Sequence, residues 1–417
     1  MTAPVVLAAM LVMAVPASAA HAQARDTGSG PARALSAAFS YTAELVTVAA
    51  GGARSGTIYS GAASAQLTLL LHRLVGWRGA QLFVFVLGTH GGAPSDLVGD
   101  VQGVSNLQAP AAVRLEEAWL QQNLFDDHLS WLVGRYDIGT EFYRLQSGAL
   151  FVNSSFGTGA ELAQSGVAGP SIFPRTAVGT RVDVKPSPNT VWRTAVLDGV
   201  PVDRPDGGPR IFAPGDGALL VSEVALLSRP DTAGMPRHPR FQVGRRMPRP
   251  YAGKLALGGW YYTARFPDLV DTLANGAPVP HRGSGGAYLI ADHTMWSAHG
   301  QPGGLSVFVQ LGLGDARVNT IGRYAGGGLT FTGPLPSRVQ DEVGLAVAAA
   351  FPGSRDERAR SAGGTSVTAE TTVELTYLLQ FGASFAVQPD VQYVIHPGET
   401  RATRNALVPG VRIAVSP

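Results

Sequence analysis

Glu370-Thr371-Thr372-Val373-Glu374-Leu375-Thr376-Tyr377-Leu378-Leu379-Gln380-Phe381 alternates apolar and polar side chains with a period of two. Val373, Leu375, Tyr377, Leu379 and Phe381 fall on one side; Glu374, Thr376 and Gln380 fall on the other. Successive side chains of a β-strand point to opposite faces, so this stretch is a strand with one greasy and one hydrogen-bonding face. The next stretch repeats the pattern. Phe385, Val387, Val391, Tyr393 and Ile395 oppose Gln388, Asp390, Gln392 and His396. In a water-soluble sandwich the greasy face meets a second sheet, whereas in a membrane barrel it meets lipid and the polar face lines a wet interior.

Working outward, β-segments are expected near 39–50, 56–71, 80–90, 112–122, 128–137, 177–185, 190–198, 217–228, 251–265, 286–296, 304–314, 323–333, 341–351, 370–381, 384–396 and 405–415. Each is close to the ~10 residues that a tilted strand needs to cross the apolar layer. About sixteen strands is an even number, as closed bacterial barrels require. Connections alternate in length. Asn123–Asp127, Lys185–Asn189, Ser297–Pro302, Gly333–Arg338 and Gly382–Ala383 suit short periplasmic turns, while 91–111, 138–176, 266–285 and 352–369 suit external loops. The arginine-rich stretch 229–250 is long where a short turn is expected. Leu82 to Leu87 is apolar on both faces, as in a buried strand.

Composition agrees with a lipid-facing chain. Of 417 residues 15% are charged, well below the roughly 25% of soluble domains. Net charge is +2, and the arginines are scattered without interleaved aromatics, which argues against nucleic acid. There is no cysteine, so disulfides and thiolate metal sites are excluded. The apolar run Val5 to Val15 is too short to span a bilayer and precedes small residues and A-x-A sites, Ala17-Ser18-Ala19 and Ala20-His21-Ala22. Residues 1–24 are therefore expected to be an export signal, 25–35 a leader, and 36–417 a single barrel domain.

Several short stretches resemble the carbohydrate-selective porins of the OprB family. Glu117-Ala118-Trp119-Leu120-Gln121-Gln122 with Val133-Gly134-Arg135-Tyr136-Asp137 is similar to that family's W-x-x-Q…GR-x-D segment. Phe151-Val152-Asn153-Ser154-Ser155-Phe156-Gly157 is similar to its F-x-N-S-x-F-G stretch. Ala195 to Pro201, Leu257 to Tyr261, Gly285 to Trp296, Gly328 to Pro336 and Gln388-Pro389-Asp390 through His396-Pro397-Gly398 extend the likeness in order along the chain. The resemblance implies a sixteen-stranded antiparallel barrel in the bacterial outer membrane, passing monosaccharides by facilitated diffusion and needing neither cofactor nor catalysis. It also implies that the third external loop, 138–176, folds into the lumen. Its partners are then small carbohydrates, outer-membrane lipid and the barrel assembly machinery, which in such barrels reads a C-terminal aromatic residue; this chain closes with Val415-Ser416-Pro417. No coiled-coil heptad enforces a trimer, and a homotrimer stays open.

A sugar offers hydroxyls around its rim and C–H groups on its faces, so amides, carboxylates, guanidinium forks and aromatic rings recognise it. The constriction candidates are Glu141, Phe142, Arg144, Asn153 and Phe156, with wall residues Glu116, Arg135, Asp137, Arg181, Asp183, Glu223, Glu374, Asp390 and Gln392. Each has a plainer reading: Arg135, Asp137 and Asp198 as ion pairs that shape the barrel, Asn153 and Phe156 as loop packing. Trp119, Trp131, Trp260, Tyr261, Tyr262 and Trp296 are expected in aromatic girdles at the membrane interfaces. Adjacent acids such as Glu116-Glu117 are expected on opposite faces, which excludes a glycosidase pair. Asp26-Thr27-Gly28 lies alone in the leader, and no nucleotide, hydrolase or zinc motif is present. The rival readings are a general or organic-anion porin, a secreted carbohydrate-binding or hydrolytic β-protein, and a structural membrane anchor.

Overall fold

The computed structural model describes residues 34–202, 211–228, 251–297, 304–364 and 367–416. The expected export signal, the leader up to Arg33, the insertion at 229–250 and most of the turn after Ser297 lie outside these residues.

Among the described residues seventeen strands form one sheet. They are β1 (Leu35–Val48), β2 (Ala50–Gly52), β3 (Gly56–Leu70), β4 (Ala80–Gly91), β5 (Ala112–Leu124) and β6 (Leu129–Tyr136). There follow β7 (Ala177–Ser187), β8 (Thr190–Asp198), β9 (Ala218–Ser228), β10 (Gly253–Thr272), β11 (Pro278–Ser297) and β12 (Gly304–Gly314). The last are β13 (Ile321–Thr332), β14 (Glu342–Pro352), β15 (Glu370–Phe381), β16 (Phe385–Ile395) and β17 (Arg404–Val415). Three-residue β2 merely continues β1 along β17, so sixteen long strands make the wall. Every neighbour is antiparallel, and β1 pairs with both β3 and β17, Glu44 standing opposite Arg412. The sheet has closed on itself.

Closure decides what the greasy rows meet. Leu255, Leu257, Val309, Leu311, Leu345, Val347, Leu375, Val391, Leu407 and Ile413 are exposed on the outside of the cylinder, with no second layer over them among the described residues. Rows this long on a closed sheet are solvated by hydrocarbon. This removes the soluble β-protein as a reading.

The strand boundaries match the sequence expectation closely, with one correction. Residues 266–285 are not an open loop. β10 and β11 continue to Thr272 and from Pro278, pairing Arg265 with Arg282 and Phe266 with His281 as a ribbon beyond the apolar belt. Its outward charges conceal the ribbon from any search for greasy strands.

The aromatic expectation also needs correction. Trp131, Tyr261 and Trp296 face outward and are about half exposed, as girdle residues should be. Trp119, Trp260 and Tyr262 are buried on the inner face. Trp119 stacks on Phe83 with ring centroids 4.9 Å apart and donates its indole N–H to Glu117 at 3.0 Å.

The inside of the barrel is partly a dry core, which explains why some strands read as apolar on both faces. Phe85 and Leu87 of β4 pack on Leu107, Ala109 and Phe173, which come from the loops 92–111 and 137–176. Val191, Ala195, Leu197, Leu219 and Val221 of β8 and β9 pack with Ile138, Phe142, Leu145 and Leu162 of the second of these loops. Loop residues that touch the inner faces of opposite walls must lie within the barrel. Burial of each such large side chain stabilises this arrangement by about 1.5–3 kcal/mol. The loop comes close enough to the wall that a Cβ on Gly344 of β14 would sit 2.7 Å from Leu150 Cδ2 and from Phe151 Cζ.

Candidate functional site

The inner polar rows of the strands and the backbone of the loop 137–176 meet in a series of clamps. The loop begins at Asp137, whose carboxylate accepts the N–H groups of Gly139 at 2.7 Å and Phe173 at 3.1 Å and so ties its two ends together. Glu141 is gripped by a two-pronged contact from Arg181 of β7, at 2.9 and 3.0 Å. Arg193 of β8 forks onto Asp183 at 2.7 and 3.1 Å and donates to Glu141 O at 2.8 Å. Such paired, hydrogen-bonded charges tolerate burial that a single charge would not. Phe142 lies under the Arg193 guanidinium, 5.6 Å from its ring centre.

Further along, wall carboxylates hold the loop's main chain directly. Glu223 of β9 accepts Tyr143 N–H at 3.0 Å and is neutralised by Lys254 of β10 at 2.8 Å, with Tyr288 donating at 2.8 Å. Asp292 of β11 accepts Gln146 N–H at 2.8 Å, Ser147 N–H at 3.0 Å and Ser147 Oγ at 2.7 Å. Glu374 of β15 accepts Val152 and Asn153 N–H at 2.6 and 2.9 Å. Asn153 then donates to Gln392, Gln388 donates to Leu150 O, and Gln310 to Phe156 O. Phe156 itself is buried against Phe151 and Phe308. A loop backbone has no ladder to satisfy its N–H groups, and here the wall supplies the acceptors.

The loop 92–111 is clamped in the same manner. Glu370 accepts Val101 N–H at 2.9 Å, Gln102 N–H at 3.0 Å and Gly398 N–H at 2.7 Å. Asn106 N–H reaches Val152 O at 2.8 Å, joining the two inserted loops. At the seam between the first and last strands, Arg412 pairs with Glu44 at 2.5 Å and donates to Asn106 Oδ1 at 2.8 Å.

Most of the expected residues thus meet where the inserted loop crosses the barrel interior, as the frame that holds it. Arg181, Asp183, Glu223, Glu374, Asp390 and Gln392 face inward and are nearly fully buried. Asp390 accepts Gln392 Nε2 at 3.0 Å and borders a small cavity with Glu44, Val152 and Arg412. Arg144 is half-buried and uses its carbonyl to accept Lys254 Nζ at 3.1 Å. Arg135 shares the strand face of outward Trp131 and Val133, yet is buried, its Nε donating to Thr176 Oγ1 at 2.7 Å.

Glu116 and Glu117 overturn the expectation of opposite faces. The pairing slips between Phe85 and Val86, which oppose Glu117 and Leu115, so Glu116 is an extra residue in a bulge and both acids are buried. Sequence reasoning also missed Lys254, Arg193, Asp292, Glu370 and the Glu44–Arg412 pair. Each is a charged residue at an inward position of a strand whose outward face is apolar, and that was the available signal.

Comparison with known proteins follows this geometry. Residues 54–416 match the model of the carbohydrate-selective porin, OprB family. The chain belongs to the OprB family. Porin B of Pseudomonas aeruginosa is 24% identical over 375 residues, 82% of this chain and 78% of that protein. The structure of Pseudomonas putida OprB at high pH superposes with a TM-score of 0.78 at 22% identity, covering 92% of this chain and 94% of that one. The outer membrane channel DcaP of Acinetobacter baumannii shares the fold at a TM-score of 0.54 and 10% identity, covering 92% and 96%. This OprB-family protein is accordingly a carbohydrate porin of the bacterial outer membrane, and its family is one of channels.

Proposed function

We propose that this porin passes small neutral sugars, monosaccharides such as glucose, by facilitated diffusion past the loop 138–176. The observation that carries the reading is where the charge goes. Arg181 and Arg193 are consumed by Glu141 and Asp183, Lys254 by Glu223, and Glu374 and Asp292 by loop amides. The solvent-facing edge of the loop retains Gln146, Ala149, Gly157 and Gln164 beside half-buried Arg144. Neutral amides suit hydroxyls, and weak contacts let a solute leave as well as enter. An organic-anion route would need arginines open to the lumen, and the two central arginines of this frame are closed.

Outer-membrane lipid is then the solvent of the outward rows, the barrel assembly machinery the folding partner, and 1–24 the export signal that precedes the leader 25–35. A homotrimer is compatible with this reading and is tested by cross-linking. The deciding experiment is single-channel recording in planar bilayers with a panel of sugars and salt gradients. Saturable block by glucose with little ion preference supports the proposal. A large ohmic current that glucose leaves untouched, with an anion-selective reversal potential, overturns it.

A further inference from the structure

Glu161 lies on the short helix Ala160–Ala163 within the loop 138–176 and is fully buried. Its carboxylate sits in a notch made by glycines. A Cβ on Gly312 of β12 would be 2.0 Å from Oε1, and one on Gly159 would be 2.4 Å from Oε2 and from Tyr143 Oη. No hydrogen bond of good geometry reaches either Glu161 oxygen or Tyr143 Oη among the described residues, and the donors nearest the carboxylate are the Tyr143 hydroxyl and the N–H groups of Glu161 and Leu162.

The surrounding elements supply no charge to meet it. The loop itself presents Tyr143. β13 presents Tyr324, whose hydroxyl is committed to Ser155 O at 2.8 Å. β12 presents Gly312, Gly314 and Gln310, with Asp315 beyond them already paired with Arg317. Tyr262 of β10 stands against Ser165, just after the helix. No ion pair reaches Glu161 among the described residues. An ionised carboxylate in such a place has lost its water and gained no cation, and the Tyr143 hydroxyl and the N–H groups of Glu161 and Leu162 only partly replace that water. Burial pushes its pKa up to about 7.

Resting on the reading of 138–176 as the constriction, we infer that Glu161 is a proton-controlled latch. Protonated, it seats the helix Ala160–Ala163 against Gly312. Ionised, it leaves the glycine notch for lumen water and carries the helix into the passage. A freed carboxyl ionises at its ordinary value of 4.5, and the seated one at about 7. The seated state is therefore fully favoured below the ordinary value, weakens by about tenfold per pH unit as pH rises, and levels off once both forms are ionised.

The test is single-channel recording of wild type and Glu161→Gln from pH 5 to 8. The wild type is expected to show closures whose frequency climbs with pH, by up to about tenfold per unit. Glu161→Gln, neutral and of the same shape, is expected to keep its pH 5 behaviour throughout. Hydrogen exchange in the wild type serves if the variant fails to fold: protection of 159–166 should fall with pH relative to 150–156. Equal pH response of the two segments, pH-independent closures in the wild type, or a variant that titrates like it overturns the latch. Sugar block at pH 5 reports on the transport reading separately.

Discussion

Glu374 and Asn153 are 221 residues apart in the chain, yet Asn153 N–H donates to Glu374 Oε2 at 2.9 Å. The other oxygen takes Val152 N–H, so one wall carboxylate satisfies consecutive amides of the inserted loop. Removing it in Glu374→Ala strands buried donors at about 1–3 kcal/mol each. The expected result is faster proteolysis within 138–176 and noisier current, with the heat-shifted gel mobility of the barrel retained. Glu374→Gln keeps one accepting oxygen and should fall between. Unchanged proteolysis in both variants would show that the clamp is dispensable.

The Arg181–Glu141 fork is a second, separable anchor. Its partners are 0% and 6% exposed, so Arg181→Met leaves buried carboxylates with Arg193 alone. Breaking a buried pair from one side costs about 3–5 kcal/mol. Adding Glu141→Gln should restore part of that loss in urea unfolding of vesicle-reconstituted protein. Strict additivity of the two substitutions would mean that the pair is not coupled.

The tryptophans report directly on which face is which. Trp131 and Trp296 are 45% and 54% exposed on the lipid side, whereas Trp119 and Trp260 are 5% and 4% exposed within. Lipids brominated on their acyl chains should quench a protein retaining only Trp131 and Trp296. They should leave one retaining only Trp119 and Trp260 bright. Equal quenching would contradict the inner packing.

The turn between β13 and β14 has an acid limit. Burial opposes ionisation of Asp341, but Arg338 donating at 2.6 and 3.0 Å, Gln380 N–H and Tyr377 outweigh it and hold its pKa below the usual 3.8. A depressed value means that the stabilisation is complete above the ordinary carboxyl range and is lost as pH falls through the lower one. Amide protection at 333–341 should therefore weaken below about pH 4 before the neighbouring strands do. Asp341→Asn should abolish that step in hydrogen exchange.

Much of the barrel was legible in the chain because a strand's faces are set by neighbours two residues away. β8, β12 and β15 begin and end at the expected residues, and Val373, Leu375, Tyr377, Leu379 and Phe381 share the outward face as their alternation requires. The site was legible as a set of residues and not as a set of roles. Glu223, Glu374 and Gln392 face inward as expected, but their partners are loop amides and side chains 80, 221 and 239 residues distant. Trp119 and Trp260 were misplaced because their composition fits a girdle and their strand parity does not. Glu116 was misread because a bulge breaks the period of two that the reading relied on.

The amino-acid order alone determined that this chain is β-structure with one oily and one polar face, since both features follow from short-range periodicity. Only the tertiary structure decided that Glu44 closes onto Arg412, that an acid can hide at Gly312, and that the inner wall is half polar clamp and half dry core. Those contacts depend on register around a closed cylinder and on where a long loop comes to rest, and no local pattern encodes either.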